Sequence, residues 1–323
     1  MKYDIYFHND LDGMASAAIL FHFLKSREDK VLSFYPVDFF SVTRKKWAKL
    51  KFENPSAIVD FLHHPQAEIW FDHHPTTFIK PSWKKDFRHK KLNHWGVIYK
   101  SCARLIVESL KKDFNFRTPK YLKELTEWMD KVDGYYFKSI KESIDFKKPA
   151  VKLDLLISNF KLNNKIIAKI ISTLSSSPLK NVLKIKELQP YLRRIEKEIK
   201  KSKKFYKTNI KVIKNVSFID ETQNEAISIR SLLYHLYPHT PYFIILHRER
   251  GGGKYAVTAG KNPWLKSINQ APIGEYLKKF NGGGHDKVGG AEFKTKNLAL
   301  KASKEITQFL NNQYNKNNIK SKI

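Results

Sequence analysis

The chain has 323 residues, of which 41% are hydrophobic and 13% aromatic, and this composition excludes global disorder. The only cysteine is Cys102, which excludes a thiolate metal site and fits a reducing compartment. We find no signal peptide and no apolar stretch long enough to cross a bilayer. The sequence therefore predicts a soluble, cytoplasmic protein without a membrane partner.

The charge is strongly positive, with 60 Lys+Arg against 31 Asp+Glu and a formal net charge of +29. Such an excess attracts nucleic acid or phosphorylated substrates. Because the lysines are spread along the whole chain, a general lysine bias remains an open alternative.

The N-terminal part alternates strand-like and helix-like runs, which predicts an α/β fold with a mostly parallel sheet. The predicted strands are 3–7, 31–36, 57–61 and 68–71, and the predicted helices are 14–24, 43–50, 96–112 and 120–132.

The remainder is helical over 153–206 and then returns to α/β patterning. Strands are predicted at 210–213, 242–246 and 255–259, with helices at 227–236 and 273–280. We therefore expect an N-terminal domain over 1–150, a helical connector over 151–207 and a smaller α/β domain over 208–323.

Two clusters of acidic and imidazole side chains each follow an apolar run. The first reads His8-Asn9-Asp10-Leu11-Asp12-Gly13 and the second reads Asp72-His73-His74. If the first cluster continues the strand, side-chain alternation lets His8, Asp10 and Asp12 converge. Such carboxylate and imidazole ligands suit Mn²⁺ or Mg²⁺. A helix N-cap is the simpler alternative, but it would need only one of the two aspartates.

Further acids lie at element ends. Asp60 and Asp72 each end a predicted strand, and ligands gather at the carboxyl ends of parallel strands. Asp130 and Asp133 lie at the end of a predicted helix, and the sequence does not choose between them. The pair His63-His64 resembles the second cluster but lacks the preceding aspartate, so we interpret it as part of a loop.

The C-terminal part carries a candidate anion site. Its segment Gly282-Gly283-Gly284-His285 permits close backbone approach to an anion or a base, and Arg230 is a second candidate for a terminal phosphate. The glycines are alternatively the C-cap of the preceding helix.

These motifs together resemble the DHH phosphoesterase family, named for the triplet found here as Asp72-His73-His74. The first cluster is similar to the family's first motif, Asp60 to its second and Asp133, with Asp130 as competitor, to its fourth. Gly282 to His285, with Gly289-Gly290-Ala291, resembles the glycine-rich signature of the DHH-associated domain. The resemblance spans most of the chain and assigns the domain over 1–150 to catalysis and the one over 208–323 to substrate binding.

The resemblance implies a set of site residues. The metal ligands would be His8, Asp10, Asp12, Asp60, His73 and Asp133, the catalytic residues His74 and Asp72, and the substrate-binding residues Arg230, Gly282, Gly283, Gly284 and His285. Asp10 and Asp60 would be the candidates for joining both metals. His74 would contact the scissile phosphate.

The implied function is hydrolysis of short oligonucleotides to mononucleotides, as in nanoRNases (oligoribonucleases), by water activated between two Mn²⁺ ions, with Mg²⁺ as an alternative. The substrate would be short single-stranded RNA or DNA or a phosphorylated nucleotide, lying between the domains. Two alternatives stay open: a phosphatase of 3'-phosphoadenosine 5'-phosphate, cyclic dinucleotides or polyphosphate, and a non-catalytic single-strand-binding protein. A homodimer also stays open.

Overall fold

The computed structural model describes residues 1–38, 42–223, 227–248, 253–265, 271–284 and 287–320, with side chains described up to 315. Backbone contacts divide the chain into two units. The first comprises Met1–Phe137 and Asp145–Arg194, and the second comprises Lys138–Ile144 and Ile195–Ile323.

The first unit is built on a parallel sheet. Its strands are β1 (Lys2–His8), β2 (Lys30–Val37), β3 (Ser56–Val59), β4 (Ile69–Asp72) and β5 (Asn93–Trp95), in the order β2-β1-β3-β4-β5. Every pair in the described sheet is parallel, as predicted. β3 and β4 are buried on both faces, which explains their continuous apolar sequence. The carboxyl ends of β1, β3 and β4 therefore lie side by side.

Helices cover the sheet of the first unit and continue into the second. In chain order they are α1 (Leu11–Ser26), α2 (Arg44–Trp47), α3 (Pro81–Asp86), α4 (Cys102–Phe114), α5 (Lys120–Val132), α6 (Ile140–Ser143), α7 (Pro149–Asn159), α8 (Asn164–Ser176), α9 (Gln189–Asn209), α10 (Ser231–Leu236), α11 (Ile273–Leu277) and α12 (Lys296–Lys320). Short 3-10 turns occupy Leu179–Lys184, Lys186–Leu188 and Lys278–Phe280.

Helix α1 is buried on all sides through most of its length, which is the pattern of a core helix. Its small residues Ala15, Ser16, Ala17 and Ala18 are fully buried and let α4 and α8 pack against it. The predicted connector is thereby divided: α7 and α8 belong to the first unit, and most of α9 belongs to the second.

The second unit contains a mixed sheet. Its strands are β6 (Lys211–Ile213), β7 (Val216–Asp220), β8 (Tyr242–Arg248), β9 (Tyr255–Lys261), β10 (Gly283–Gly284) and β11 (Val288–Phe293), in the order β10-β11-β9-β8-β7-β6. Among the described strands of this second sheet, only β7 and β8 pair in parallel. Helix α12 packs on this sheet through Ala299, Ala302, Ile306 and Leu310.

Some elements differ from the sequence prediction. The strands β5, β7, β10 and β11 and the helices α3, α6 and α12 were not predicted. The helix predicted from residue 96 begins only at Cys102, because Ser101 has extended backbone and its hydroxyl accepts the N–H of Arg104 as an N-cap. Among the described residues, no helix combines the length and apolarity that a membrane crossing requires.

Candidate metal centre

The junction of β1 and α1 brings the first cluster together. Asp10 is the N-cap of α1, and its Oδ1 accepts the backbone N–H of Gly13 at 2.8 Å. Its Oδ2 lies 2.7 Å from Nδ1 of His8, the last residue of β1. A Cβ on Gly13 would lie 2.0 Å from the carbonyl oxygen of His8, so only glycine permits this tight turn. Asp10 therefore serves both as the cap and in the cluster.

The side chains of His8, Asp10 and Asp12 come together, but strand alternation is not the cause. The strand ends at His8 and the helix begins at Leu11, so the strand-to-helix turn brings Asp10 and Asp12 to His8. Only Asn9 and Asp10 separate the two elements, so the chain changes from strand to helix within the cluster.

Asp12 is held by the N-terminus of α4. Its carboxylate accepts the backbone N–H of Cys102 at 2.7 Å and that of Ala103 at 3.2 Å. These amides favour the anion, but burial and repulsion from Asp133 and Asp10 outweigh them and raise the pKa of Asp12 well above its usual value. This contribution of α4 was not predicted, although Ser101 before an apolar helical run is a recognisable N-cap.

Asp60 lies directly after β3 in a left-handed backbone conformation, with φ +59°. Its N–H donates to the carbonyl of Phe71 at 2.8 Å, which fixes this strained turn against β4. The side chain is 1% exposed, and Oδ1 has no hydrogen-bond partner among the described residues. That oxygen lies 3.5 Å from Nε2 of His73 and 3.6 Å from Nδ1 of His74.

Asp72, the first residue of the triplet at the end of β4, contacts both histidines that follow it. Oδ1 of Asp72 accepts the backbone N–H of His73 at 2.8 Å and lies 2.8 Å from Nδ1 of His74. Asp72 thus positions His74 rather than facing the other carboxylates. The catalytic role predicted for Asp72 stays a prediction, and the geometry adds an orienting contact with His74.

His73 is oriented from the other side of the ring. Its Nδ1 lies 3.2 Å from the carbonyl oxygen of Tyr99, a contact that sequence analysis did not anticipate. With a proton on Nδ1, this contact leaves the lone pair on Nε2. Nε2 lies 3.3 Å from Asp133 Oδ2 and 4.0 Å from Asp12 Oδ2.

Asp130 and Asp133 have separate surroundings. Asp133 is the C-cap of α5 and reaches the cluster through its contact with His73. Asp130 instead accepts the hydroxyl of Ser101 at 2.8 Å and the guanidinium of Arg104 at 2.7 and 3.0 Å. The structure therefore brings Asp133, and not Asp130, to the other carboxylates.

Three overlapping groups of described residues could hold a metal ion. They are His8, Asp10 and Asp60; Asp12, His73 and Asp133; and Asp60, His73 and His74, with the donor atoms of each group within 4.8 Å of one another. The predicted ligands are thus all brought together.

The electrostatics of this cluster fit divalent cations. Burial and the neighbouring Asp12 and Asp10 raise the pKa of Asp60 to about 7. Burial and repulsion from Asp60 raise the pKa of Asp133 to about 8. Within the described part of the chain, Oδ1 of Asp60 and Nε2 of His73 have no hydrogen-bond partner. A bound cation would satisfy these two atoms and relieve the repulsion among the buried carboxylates.

The predicted substrate residues lie in the second unit. Arg230 immediately precedes α10. The segment before it is fixed to α9, since Ser202 Oγ donates to the carbonyl of Ile227 at 2.6 Å and Tyr206 Oη accepts the N–H of Ile229 at 3.0 Å. The predicted helix over 227–236 therefore begins later, at Ser231.

The glycine-rich segment forms a tight pair of strands. Asn281, with φ +56°, ends the preceding helix and Gly282 donates its N–H to Leu277 O at 3.0 Å, so part of the segment is indeed a helix cap. A Cβ on Gly282 would lie 2.3 Å from β11, and a Cβ on Gly284 would lie 2.4 Å from the same strand. A Cβ on Gly283 would meet no atom within 4 Å, so packing does not require glycine at this position. His285 lies outside the described residues.

The fold and the cluster of carboxylates and imidazoles together define the class of structure. The chain has the fold of the DHH phosphoesterases. The resemblance seen in the sequence is therefore confirmed at the level of the fold. It is similar to a pGpG-specific phosphodiesterase, PggH, from Vibrio cholerae, with 21% identity, a TM-score of 0.69 and coverage of 96% of this chain and 99% of that chain.

Two further solved structures show the same fold. RecJ from Thermus thermophilus, in complex with Mn²⁺, is 14% identical with a TM-score of 0.56, over 96% of this chain and 52% of that chain. An exopolyphosphatase-related protein from Bacteroides fragilis is 15% identical with a TM-score of 0.51, over 98% and 93% of the two chains. No protein-family model and no curated protein matches the sequence.

Proposed function

We propose that the chain is a DHH phosphoesterase that hydrolyses the phosphodiester bonds of short oligonucleotides to mononucleotides. The observation that carries this proposal is the convergence of the six predicted ligands. Two of them contribute buried acceptor atoms, Oδ1 of Asp60 and Nε2 of His73. A protein that merely bound nucleic acid would gain nothing from gathering carboxylates that repel phosphate.

The donor set fits two Mn²⁺ ions, with Mg²⁺ as the alternative. His8 and Asp10 would hold one ion and Asp12, His73 and Asp133 the other, with Asp60 between the two groups. When bound, such a pair of ions supplies an acidified water and neutralises charge on the phosphoryl oxygens.

His74 and Asp72 supply the proton chemistry. Burial disfavours the imidazolium of His74, but Asp72, Asp60 and Asp133 outweigh it and raise the pKa of His74 to about 10 in the metal-free protein. Asp72 holds Nδ1, so Nε2 is the nitrogen that would hold a proton near the scissile phosphate or the leaving oxygen.

The second unit would anchor the substrate. Gly283 carries no side chain at a place where one would fit, which leaves its backbone open to a ligand. Arg230 would pair with a terminal phosphate, and His285 completes the proposed set. We accordingly propose that residues 1–150 carry out catalysis and that residues 208–323 bind the substrate, in a cytoplasmic enzyme. The segment 151–207, predicted as a connector, is shared between the two units.

The structural neighbours support a small substrate, because the protein from Vibrio cholerae acts on a dinucleotide. The exopolyphosphatase-related neighbour keeps polyphosphate as a second candidate. Hydrolysis of 3'-phosphoadenosine 5'-phosphate or of cyclic dinucleotides would use the same centre with different anchoring.

The test is a substrate panel with Mn²⁺, running from dinucleotides to long single strands and including the bisphosphate nucleotide, cyclic dinucleotides and polyphosphate. We expect release of mononucleotides, fastest from chains of about two to five nucleotides. Asp60→Asn should abolish release, whereas Asp130→Asn is the matched control outside the cluster. Equal rates on long strands would contradict the short-substrate proposal, and binding without cleavage would favour the non-catalytic alternative.

A further inference from the structure

A short turn follows β5 and is tied to the candidate metal centre by backbone bonds. Gly96 donates its N–H to the carbonyl of Asp72 at 3.1 Å, and Tyr99 donates its N–H back to Gly96 at 3.2 Å. The carbonyl of Tyr99 in turn lies 3.2 Å from the ring of His73. Both ends of the turn are therefore fixed to the triplet at the end of β4.

The tip of this turn exposes large apolar side chains. Ile98 is 85% exposed and Val97 is 52% exposed. Ile98 is adjacent to Tyr99, so its Cα lies about 3.8 Å along the chain from a residue that contacts His73. Exposed apolar side chains that are close in the chain to a polar centre are typical of ligand-binding surfaces.

An aromatic ring lies next to the same turn. Tyr136 is 45% exposed, and the ammonium of Lys100 lies 4.4 Å from its ring centroid. A Cβ on Gly134 would lie 2.6 Å from Cδ2 of Tyr136, so the ring rests against the backbone next to Asp133. Lys100 thus links the turn to the residues that follow the last predicted ligand.

We propose that Ile98 and Tyr136, with Val97 beside them, form a platform for the nucleobase of the nucleotide whose phosphate occupies the metal centre. The apolar side chains supply a face for the base, and Lys100 supplies a cation for the adjoining phosphate. This inference rests on the proposed function and deepens it, because it makes the centre selective for nucleotides over other phosphates.

The platform is tested by equilibrium binding to the Mn²⁺-loaded protein, with adenosine monophosphate and ribose 5-phosphate as probes. The wild-type protein should bind the nucleotide about tenfold more tightly than the sugar phosphate. Ile98→Asn and Tyr136→Ala should each remove most of that preference and leave binding of ribose 5-phosphate unchanged. Leu298→Asn is the matched control, because Leu298 is an apolar residue 52% exposed on α12 of the second unit.

The outcomes separate this inference from the proposed function. Equal binding of the two probes by the wild-type protein, or a preference that survives both substitutions, would overturn the platform. A parallel loss of binding for both probes would overturn it as well, because the two side chains would then contribute no more to the nucleotide than to the sugar phosphate. Failure of the proposed function would show instead as absence of dinucleotide hydrolysis, which this binding measurement does not require.

Discussion

Two histidine pairs lie in the first unit, His63-His64 and His73-His74, and their surroundings are opposite. His73-His74 follows Asp72 at the end of β4 and faces the carboxylates of Asp60 and Asp133. His63-His64 follows Leu62 and lies outside every described group that could hold a metal.

His63 lies among the aromatic rings of Trp70, Phe78 and Phe87, which we call the aromatic box. The ring of His63 lies 4.6 Å from Trp70, 5.1 Å from Phe78 and 5.6 Å from Phe87, measured between centroids. Its Nδ1 is buried without a hydrogen-bond partner among the described residues. Burial, with a smaller contribution from His64, lowers the pKa of His63 to about 4, whereas the carboxylates raise that of His74 to about 10. Their neighbours therefore keep His63 neutral and His74 charged.

The largest expected difference between the pairs is in activity. Loss of His73 removes a ligand from the centre, so His73→Ala should lower kcat/KM with Mn²⁺ by about a thousandfold or more. Treatment with a chelator should have the same effect on the wild-type protein and be reversed by Mn²⁺. The corresponding change in the aromatic box, His63→Phe, should leave kcat/KM within about threefold of wild type. A large loss in His63→Phe, with the fold intact by circular dichroism, would contradict the comparison.

The next largest effect should come from the aspartate that distinguishes the pairs. Asp72→Asn removes the charge that orients Nδ1 of His74, and we expect about a 10–100-fold loss of kcat. Mn²⁺ affinity should change less, since Asp72 does not face the ligand groups. Calorimetry with Mn²⁺ separates the two effects, and an unchanged kcat would show that His74 needs no orienting partner.

The aromatic box should instead determine part of the pH dependence of stability. Since the folded-state pKa of His63 is about 4, below its usual value, its contribution to stability is present above about pH 6.5 and is lost as pH falls through 4. Wild type should therefore lose about 1–3 kcal/mol more than His63→Phe between these pH values. Urea unfolding at both pH values measures the loss of stability. An equal loss in wild type and His63→Phe would refute the prediction.

The smallest effect is expected for His64. Its Nδ1 accepts the backbone N–H of Gln66 at only 3.3 Å, and its ring packs 4.9 Å from Phe52. His64→Gln should change the free energy of unfolding by about 1 kcal/mol or less and leave turnover unchanged. Loss of metal binding in this variant would place His64 in the centre.

The sequence predicted the parallel sheet of the first unit and the residues that converge on its edge, because motifs at strand ends carry their own spatial information. It left Asp130 and Asp133 open, since both lie near the end of one helix. Contacts with distant residues separate them: Ser101 and Arg104 bind Asp130, whereas His73 contacts Asp133. Ser101 marks the start of α4, but the sequence does not show that the amides of Cys102 and Ala103 bind the distant Asp12. The carbonyl of Tyr99 has no sequence signal.

The second unit was predicted less completely. Strand β11 carries Gly289 and Gly290, which weaken a strand pattern, and their role in the close pairing with β10 is a tertiary effect. Helix α12 was missed although its alanines and isoleucine form a buried stripe against the sheet.

The central claim is that the carboxylates and imidazoles at the end of the parallel sheet form a two-metal centre. Titration of chelator-treated protein with Mn²⁺ in a calorimeter tests it most directly, with Asp60→Asn as the comparison. We predict about two ions per chain for the wild-type protein and weaker or incomplete binding for Asp60→Asn. Absence of binding by the wild-type protein, or identical isotherms for the two, would contradict the account.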